Sequence, residues 1–332
     1  MKTLSRENLN LWLDGLAAQQ SLIAPHLEAQ GVFYRPVQRA QEIAWEADRP
    51  ALSAKEFLFP PSERLLKVEK RGPDIRLEVS PSAAPQAIFG LRPCDARGIR
   101  VMDAAFLETP PIDSQYASRR ENTLLLGLAC RSMGASCFCT IMGLAPDDPR
   151  DMDVMFTDRG PTLAVQALTP RGEALLAGLP IVEEPGEVEP ASRREVGGLP
   201  TAEAWKESFG DARWAKHGER CLSCRLCAYV CPTCRCYDVR DEALPSPPGE
   251  AHFERLRAWD SCTREGYRLT AGGHNPRAAA GSRLRNRLLC KFVYYPHQYG
   301  PAACTGCGRC LDACPVNLDL LEIGGALQEA AQ

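Results

Sequence analysis

The sequence predicts an α+β protein, with an N-terminal α/β domain that contains a mostly parallel sheet and a largely helical C-terminal domain. Three observations support this prediction. Strand-like and helix-like segments alternate through the first half, a stretch rich in Pro, Gly and Glu follows at 179–200, and Cys and Arg become frequent after about residue 201. We therefore predict domains at 1–198 and 199–332, the second with a helical, Arg-rich insertion at about 241–303.

Hydrophobic periodicity identifies the N-terminal elements. Leu9, Leu13 and Leu16 have helical spacing, so we expect the chain to open with a helix and to continue as a connector to about residue 60. The further predicted elements are a hairpin around Gly72-Pro73, a strand at 86–91, a helix at about 95–107, strands at 123–129, 153–158 and 162–168, and a short helix at 172–178. The order from 86 to 129 is typical of a βαβ unit.

Composition excludes several classes of protein. With 332 residues, of which 45% are hydrophobic and 24% charged, the chain has the balance of a globular protein with a sizeable core. The net charge of −3 provides no basic field to attract nucleic acid. The longest strongly apolar stretch, at 123–130, is far shorter than the ~20 residues that cross a bilayer, and the polar N-terminus lacks the apolar region of a signal peptide. We expect a cytoplasmic protein without membrane insertion.

Cysteine usage is the strongest indication of chemistry, because the chain contains 16 cysteines and only five histidines. The spacing C-x2-C-x2-C-x3-C-P occurs twice, and it is the ligand spacing of bacterial-type [4Fe–4S] ferredoxins. Three thiols of each run hold one cluster, and the fourth serves the neighbouring cluster. The predicted ligands are Cys221, Cys224, Cys227 and Cys314 for cluster one, and Cys304, Cys307, Cys310 and Cys231 for cluster two.

A structural zinc site is the alternative for these runs. Zinc is satisfied by two pairs of thiols and has no use for a regular third cysteine followed by Cys-Pro. The C-terminal domain is therefore predicted to contain a ferredoxin-like module with two [4Fe–4S] clusters.

Four cysteines of the N-terminal domain are candidate ligands for a third [4Fe–4S] cluster. They are Cys94, Cys130, Cys137 and Cys139. Two of them follow predicted strands, and parallel neighbouring strands would bring both thiols to one edge of the sheet, where open α/β sheets bind ligands. A helix N-terminus beside Cys94 favours an anionic group. The alternative is that all four are structural thiols, packed as small hydrophobic side chains.

The roles of several other residues near the cysteine runs stay open. The remaining thiols are Cys234, Cys236, Cys262 and Cys290. Either three of them complete another metal site with His274, or they pack around the clusters. Arginines interleaved with the runs either offset cluster charge or form a solvated face. These arginines are Arg225, Arg235 and Arg309.

With these motifs, the chain resembles the iron–sulfur β subunit of cytoplasmic sulfhydrogenase-type [NiFe] hydrogenases and the related iron–sulfur subunit of anaerobic sulfite reductase. The resemblance covers most of the chain and includes strings outside the ferredoxin runs. The strings are FLFPPSERLL (57–66), RPCDARGI (92–99), CFCTIMG (137–143), CPTCRCYDV (231–239), WDSC (259–262), AGGHNPR (271–277) and CTGCGRCLDACPV (304–316). Cys290 departs from the family pattern, which has a His near that position.

The resemblance implies an electron-transfer subunit that relays electrons between a flavin- and NAD(P)H-binding subunit and a catalytic subunit of a hydrogenase or a sulfite or sulfur reductase. The N-terminal cysteines fall on the family's own cysteine strings. The sequence has no dinucleotide or phosphate-loop fingerprint, so we expect no flavin in this chain and identify no catalytic site. The alternative is a freestanding flavin- or substrate-binding reductase whose clusters feed an N-terminal pocket.

Overall fold

The computed structural model describes residues 1–328 and has a mixed α+β architecture. Its strands are β1 (Lys2–Ser5), β2 (Ser21–Glu28), β3 (Gly31–Val37), β4 (Ser62–Arg71), β5 (Asp74–Val79), β6 (Gln86–Leu91), β7 (Thr123–Leu128), β8 (Val154–Asp158), β9 (Thr162–Ala167), β10 (Val182–Glu183), β11 (Tyr237–Leu244) and β12 (Glu250–Trp259). Its α-helices are α1 (Arg6–Gln19), α2 (Pro93–Phe106), α3 (Ser114–Glu121), α4 (Pro170–Leu176), α5 (Ala202–Glu207), α6 (Arg213–Arg220), α7 (Leu226–Tyr229), α8 (Ala280–Leu289), α9 (Tyr295–Tyr299), α10 (Arg309–Asp312) and α11 (Leu320–Gln328). A π-helical segment, Cys290–Tyr294, joins α8 to α9.

Eight strands form a large mixed sheet in the order β10-β1-β9-β8-β7-β6-β2-β3. The four central strands, β8, β7, β6 and β2, are parallel to one another, whereas the pairs on both flanks are antiparallel. The prediction of a mostly parallel sheet therefore holds for the centre and is wrong for the flanks. The reason is the length of the connections, because the short links from β2 to β3 and from β8 to β9 can join only antiparallel strands.

Alternating side chains of the central strands supply two cores on opposite faces of this sheet. Ala87 and Phe89 of β6 pack with α1 in one core, whereas Ile88 and Leu91 pack with α2 in the other. Successive residues of a strand point to opposite faces, so β6 is buried on both sides. The βαβ unit of 86–129 is present, with β6 and β7 as parallel neighbours.

The N-terminal connector expected up to residue 60 is wrong, because β2 and β3 lie within it. Leu22 to Pro25 are buried in succession, so this segment lacks the alternation that marks a half-buried strand. Proline is also unusual inside a sheet. Here Gly90 of β6 accommodates it, since a Cβ on Gly90 would lie 2.8 Å from the Pro25 Cδ.

A second, antiparallel sheet in the order β11-β12-β4-β5 joins the two halves of the chain. β4 and β5 form the predicted hairpin, whereas β11 and β12 lie where the helical insertion was expected to begin. The insertion prediction is wrong at that point. Almost every side chain of β11 is exposed, so no hydrophobic alternation marks the strand in the sequence. The boundary at 198/199 stays a prediction, and this sheet crosses it.

A buried charge network fixes the second sheet to the N-terminal half. Arg257 of β12 is 3% exposed, donates from Nε to Glu63 of β4 at 2.7 Å, and also pairs with Asp113 at the start of α3. Removing one member of such a network leaves buried charge without a partner, which costs about 3–5 kcal/mol. The inserted hairpin is therefore integral to the fold.

Outside this hairpin, the regular structure of the C-terminal half is helical. α6 and α8 approach closely at Gly218 and Gly281, where a Cβ on Gly218 would lie 2.3 Å from the Gly281 nitrogen. Trp205 stacks on Phe292 in the adjoining core, with ring centroids 5.3 Å apart. Among the helices of residues 1–328, none has both the length and the apolar character needed to span a bilayer.

Candidate metal centres

Both cysteine runs contain the same backbone turn. In the first run, Ser223 and Arg225 flank the second cysteine with φ of 53° and 71°. In the second run, Gly306 and Gly308 occupy the equivalent positions with φ of 64° and 74°. Left-handed residues in such loops shape the backbone nests that hold Fe–S clusters and other anions. For Ser and Arg this conformation costs roughly 1–2 kcal/mol per residue, and such strain is typical of functional sites.

Five cysteines line one cavity where α7 of the first run packs on α10 of the second. One of them, Cys310, belongs to the second thiol group described below, and the other four form a group of their own. We name them the first thiol group: Cys221, Cys224, Cys227 and Cys314. The last of these comes from the other run. Leu284 and Leu288 of α8 contribute to a largely apolar wall. Cys224 is exposed, so this group reaches the protein surface.

The second thiol group lies between the first group and the N-terminal half. Its members are Cys231, Cys304, Cys307 and Cys310. Burial raises the pKa of Cys304 to about 11, and the neighbouring Cys231 and Cys307 thiolates add to the rise. Burial and the same neighbours also raise the pKa of Cys310. The four thiols are therefore mutual neighbours in a desolvated environment.

The third thiol group unites the four N-terminal candidates. Its members, which line a single cavity of about 240 Å³, are Cys94, Cys130, Cys137 and Cys139. Cys94 lies in the first turn of α2 after β6, and Cys130 follows β7. Because β6 and β7 are parallel neighbours, both thiols emerge at the same edge of the large sheet. The four side chains converge as expected from the sequence, and their role as ligands stays a prediction.

The second cysteine run packs directly on the loop that carries Cys137 and Cys139. Phe138 donates its backbone N–H to the Gly306 carbonyl at 2.7 Å, and the Cys137 thiol donates to the Cys307 carbonyl at 3.6 Å. A Cβ on Gly306 would lie 2.5 Å from the Phe138 carbonyl oxygen, so only glycine fits there. Cys307 also lines the cavity of the third thiol group. The second and third thiol groups are thus direct neighbours.

A buried ion pair crosses the same contact. Arg309 of α10 and Asp95 of α2 are each 1% exposed and pair at 2.7 Å. Arg309 also lies 3.9 Å from the Cys94 sulfur. Of the arginines interleaved with the runs, Arg309 is therefore not part of a solvated face. Arg235 stacks over the Tyr295 ring, 4.2 Å from its centroid.

Of the cysteines without a predicted role, Cys234 contacts Cys231 of the second thiol group, whereas Cys236 and Cys262 contact each other. Cys234 accepts a hydrogen bond from Arg287 at 3.1 Å. A hydrogen bond from Cys262 lowers the pKa of Cys236 to about 5. His274 does not complete a site with them, because no three His, Cys, Asp or Glu side chains within residues 1–328 are arranged to hold a single metal ion.

Three buried cations beside the second thiol group were not predicted from the sequence, namely Lys55, Arg287 and Lys291. Arg287 and Lys291 are four residues apart among leucines of one helical stretch, and this spacing places them on its apolar face. Lys55 has no such signal, since it lies in a short 3₁₀ turn. Burial lowers the pKa of Lys55 to about 8.

Cys290 is the first residue of the π-helical segment and precedes Lys291, and its role stays open.

Comparisons with known proteins agree with this geometry. Residues 220–318 match the family described as 4Fe–4S dicluster domain. The chain is 29% identical over 317 residues to the sulfhydrogenase 2 subunit beta of Pyrococcus furiosus, and the match covers 89% of each chain. The chain is thus similar over most of its length to a sulfhydrogenase β subunit. The resemblance inferred from the motifs is thereby confirmed, and iron–sulfur clusters are cofactors of the dicluster domain. No solved structure matches the chain significantly.

The glycine contact between the second run and the N-terminal loop leads to a first prediction. We expect Gly306→Ala to destabilise the whole chain by about 1–2 kcal/mol from the left-handed conformation and by a further 1–3 kcal/mol, roughly, from the clash with Phe138. Gly143→Ala is the matched control, because Gly143 has φ of 70° and nothing within 4 Å of its Cβ position. Thermal melting of the anaerobically purified protein compares the two. Equal melting temperatures would contradict the close packing at Gly306.

Proposed function

We propose that the chain is an iron–sulfur electron-transfer subunit that relays electrons through three [4Fe–4S] clusters in a line. The observation that carries this proposal is the continuity of the three thiol groups. Cys307 of the second group lines the cavity of the third group, and Cys310 of the second group lines the cavity of the first. Adjacent sites in that order form a path for electrons.

The proposed ligands follow the grouping of the thiols. Each group supplies four sulfur donors, which is the number that a [4Fe–4S] cluster takes. The two runs exchange their fourth cysteines, so that Cys314 closes the first site and Cys231 the second. The proposed ligand sets are Cys221, Cys224, Cys227 and Cys314 for cluster one; Cys231, Cys304, Cys307 and Cys310 for cluster two; and Cys94, Cys130, Cys137 and Cys139 for cluster three.

The cavity of the third thiol group supports a bound cluster over simple packing. Thiols that only fill space have no reason to meet, whereas these four line a single cavity of about 240 Å³. Four converging thiols are the donor set that a [4Fe–4S] cluster takes. A compact cluster therefore suits the site better than a flavin, which argues against the freestanding reductase.

The protein's own contribution is to hold the centres, exclude water and shape local charge. When bound, [4Fe–4S] clusters accept and release single electrons. Cys224 makes the first site accessible from solvent, and exposed Ser132 and Ala135 border the third site. The second site lies between them, with Cys231 and Cys307 each 7% exposed. Electrons enter the line at one end and leave at the other.

We further propose that two partner subunits use these ends: a flavin- and NAD(P)H-binding subunit and a catalytic subunit of hydrogenase or sulfite or sulfur reductase type. The relative in Pyrococcus furiosus is named as a subunit of a sulfhydrogenase. Leu222 and Leu226, beside Cys224, are 63% and 42% exposed, and exposed apolar side chains suit an interface. A cytoplasmic location belongs to the same proposal, because free cysteines are typical of reducing compartments.

Iron content tests the ligand sets. In the anaerobically purified whole chain, we expect Cys94→Ser to remove about four of about twelve irons, because cluster three loses a ligand. Cys224→Ser should remove about four irons from cluster one. Cys290→Ser is the control and should keep all the iron, since Cys290 belongs to none of the three groups. Full iron content in Cys94→Ser would refute the third cluster.

Reduction by pyridine nucleotides tests the relay. We expect dithionite to bleach the visible absorption of the purified chain, and NADH or NADPH to leave it unchanged, because no nucleotide-binding fingerprint occurs in the sequence. Addition of a flavin-bearing partner should restore reduction by the nucleotide. Rapid bleaching by NADPH alone would contradict the division of labour between subunits and would favour a freestanding reductase.

A further inference from the structure

Three cations are buried around the second thiol group without an acidic partner. Lys55, Arg287 and Lys291 are 3%, 5% and 4% exposed. Their hydrogen-bond acceptors are sulfurs, a hydroxyl and backbone carbonyls, with no carboxylate of residues 1–328 among them. They come from both halves of the chain, so the fold itself brings them together.

Lys291 makes the most direct contact with a proposed ligand. Its ammonium group donates to the Cys231 sulfur at 3.2 Å, to the Thr233 hydroxyl at 2.9 Å and to the Ala303 carbonyl at 2.9 Å. These three bonds use all the protons of an ammonium group. The charge is therefore fixed in position beside the sulfur.

Arg287 and Lys55 add positive charge nearby, and Arg287 also lines the cavity of the first thiol group. Arg287 donates to the Cys234 sulfur at 3.1 Å and to the Cys227 carbonyl at 2.5 Å. Lys55 donates to the Cys234 carbonyl at 3.1 Å and lies over the Trp259 ring, 4.0 Å from its centroid. Neither side chain touches the Cys231 sulfur, so both act on the second site over a longer distance.

Two other buried cations of this protein are paired with carboxylates. Arg309 beside the third thiol group pairs with Asp95, and Arg257 pairs with Glu63. Unpaired charge in a dry interior costs several kcal/mol, so buried cations require a counter-charge. At the second thiol group, the candidates among residues 1–328 are thiolate sulfurs and the anionic cluster that they are proposed to hold.

Arg92 near Cys130 and Arg283 near the first run also lack a carboxylate, but they donate to backbone carbonyls and to the Ser223 hydroxyl. What distinguishes the second site is that Lys291 donates directly to a proposed ligand sulfur and has no carboxylate partner among residues 1–328.

We propose that Lys291, supported by Arg287 and Lys55, makes the second cluster the most easily reduced centre of the chain. The inference rests on the proposed function, since it assumes a cluster at Cys231. Positive charge and hydrogen bonds to cluster sulfurs raise the reduction potential, because they stabilise the form that carries one more electron. Reduction at this site adds one electron, and no bond forms or breaks. Lys291 is thus a positioning residue that sets where an electron rests, at the buried middle of the line.

Redox titration of the whole chain, followed by EPR, tests this inference with Lys291→Met. We expect the midpoint potential of one centre to become more negative. The expected change is about tenfold in the ratio of reduced to oxidised cluster at a given potential, which corresponds to ~59 mV for a one-electron couple. Lys291→Arg keeps the charge and should shift less. Lys55→Met leaves the sulfur contact intact and should move the same centre in the same direction by a smaller amount.

Arg285→Met, in the adjoining helix α8, is the matched control. Arg285 stacks on Phe209, 3.8 Å from the ring centroid, and donates to the Phe209 carbonyl, so its loss should leave every potential unchanged. If Lys291→Met and Lys55→Met keep full iron and wild-type potentials, the inference is overturned while the proposed function stands. Wild-type protein without iron at the second site would overturn both.

Discussion

The buried ion pair between Arg309 and Asp95 is the contact on which the arrangement of the three thiol groups depends. It links α10 in the second cysteine run to α2, whose first turn carries Cys94. The Tyr34 hydroxyl donates to Asp95 at 3.3 Å, and Arg309 donates from Nε to the Pro50 carbonyl at 2.9 Å. Both charges are fully enclosed, so neither tolerates the loss of its partner. This pair holds the N-terminal half against the ferredoxin-like runs.

The same contact explains why the backbone of the second run is built from glycine where the first run has other residues. Gly306 and Gly308 approach the N-terminal loop so closely that a Cβ on Gly308 would lie 2.3 Å from the Ser136 carbonyl oxygen. In the first run, Ser223 and Arg225 have the same left-handed conformation, although both residues carry side chains. One run thus faces the N-terminal cavity, and the other faces the surface.

The cations that contact proposed ligand sulfurs are balanced differently at the second and third sites. Near the third thiol group, Arg309 is matched by Asp95, and Arg49, 3.7 Å from the Cys137 sulfur, is matched by Asp312. Near the second group, the buried cations have no such match. If the middle, buried cluster of the three is the most easily reduced, an electron held on it between transfers is kept away from solvent. In the proposed relay, both exposed ends then remain free to exchange electrons with partner subunits.

The sequence is most informative where the signal is local. The two cysteine runs are recognisable by their spacing, and Cys94 and Cys130 follow strands whose parallel pairing a βαβ unit predicts. The strands that the sequence did not predict, β2, β11 and β12, have burial patterns that only the tertiary structure determines. β2 lacks alternation because it is buried on both faces, and the hairpin of β11 and β12 lacks it because its first strand is exposed. Lys291 is a buried cation whose stabilising partner is a sulfur 60 positions away.

An iron-edge anomalous diffraction map of the whole chain, crystallised anaerobically, tests the three-cluster line most directly. We expect three separate iron peaks, one at each thiol group, with the middle peak bound by Cys231, Cys304, Cys307 and Cys310. The peak in the N-terminal cavity should neighbour the middle peak across Cys307. A map with iron at the first two groups and none among Cys94, Cys130, Cys137 and Cys139 would contradict the three-cluster line.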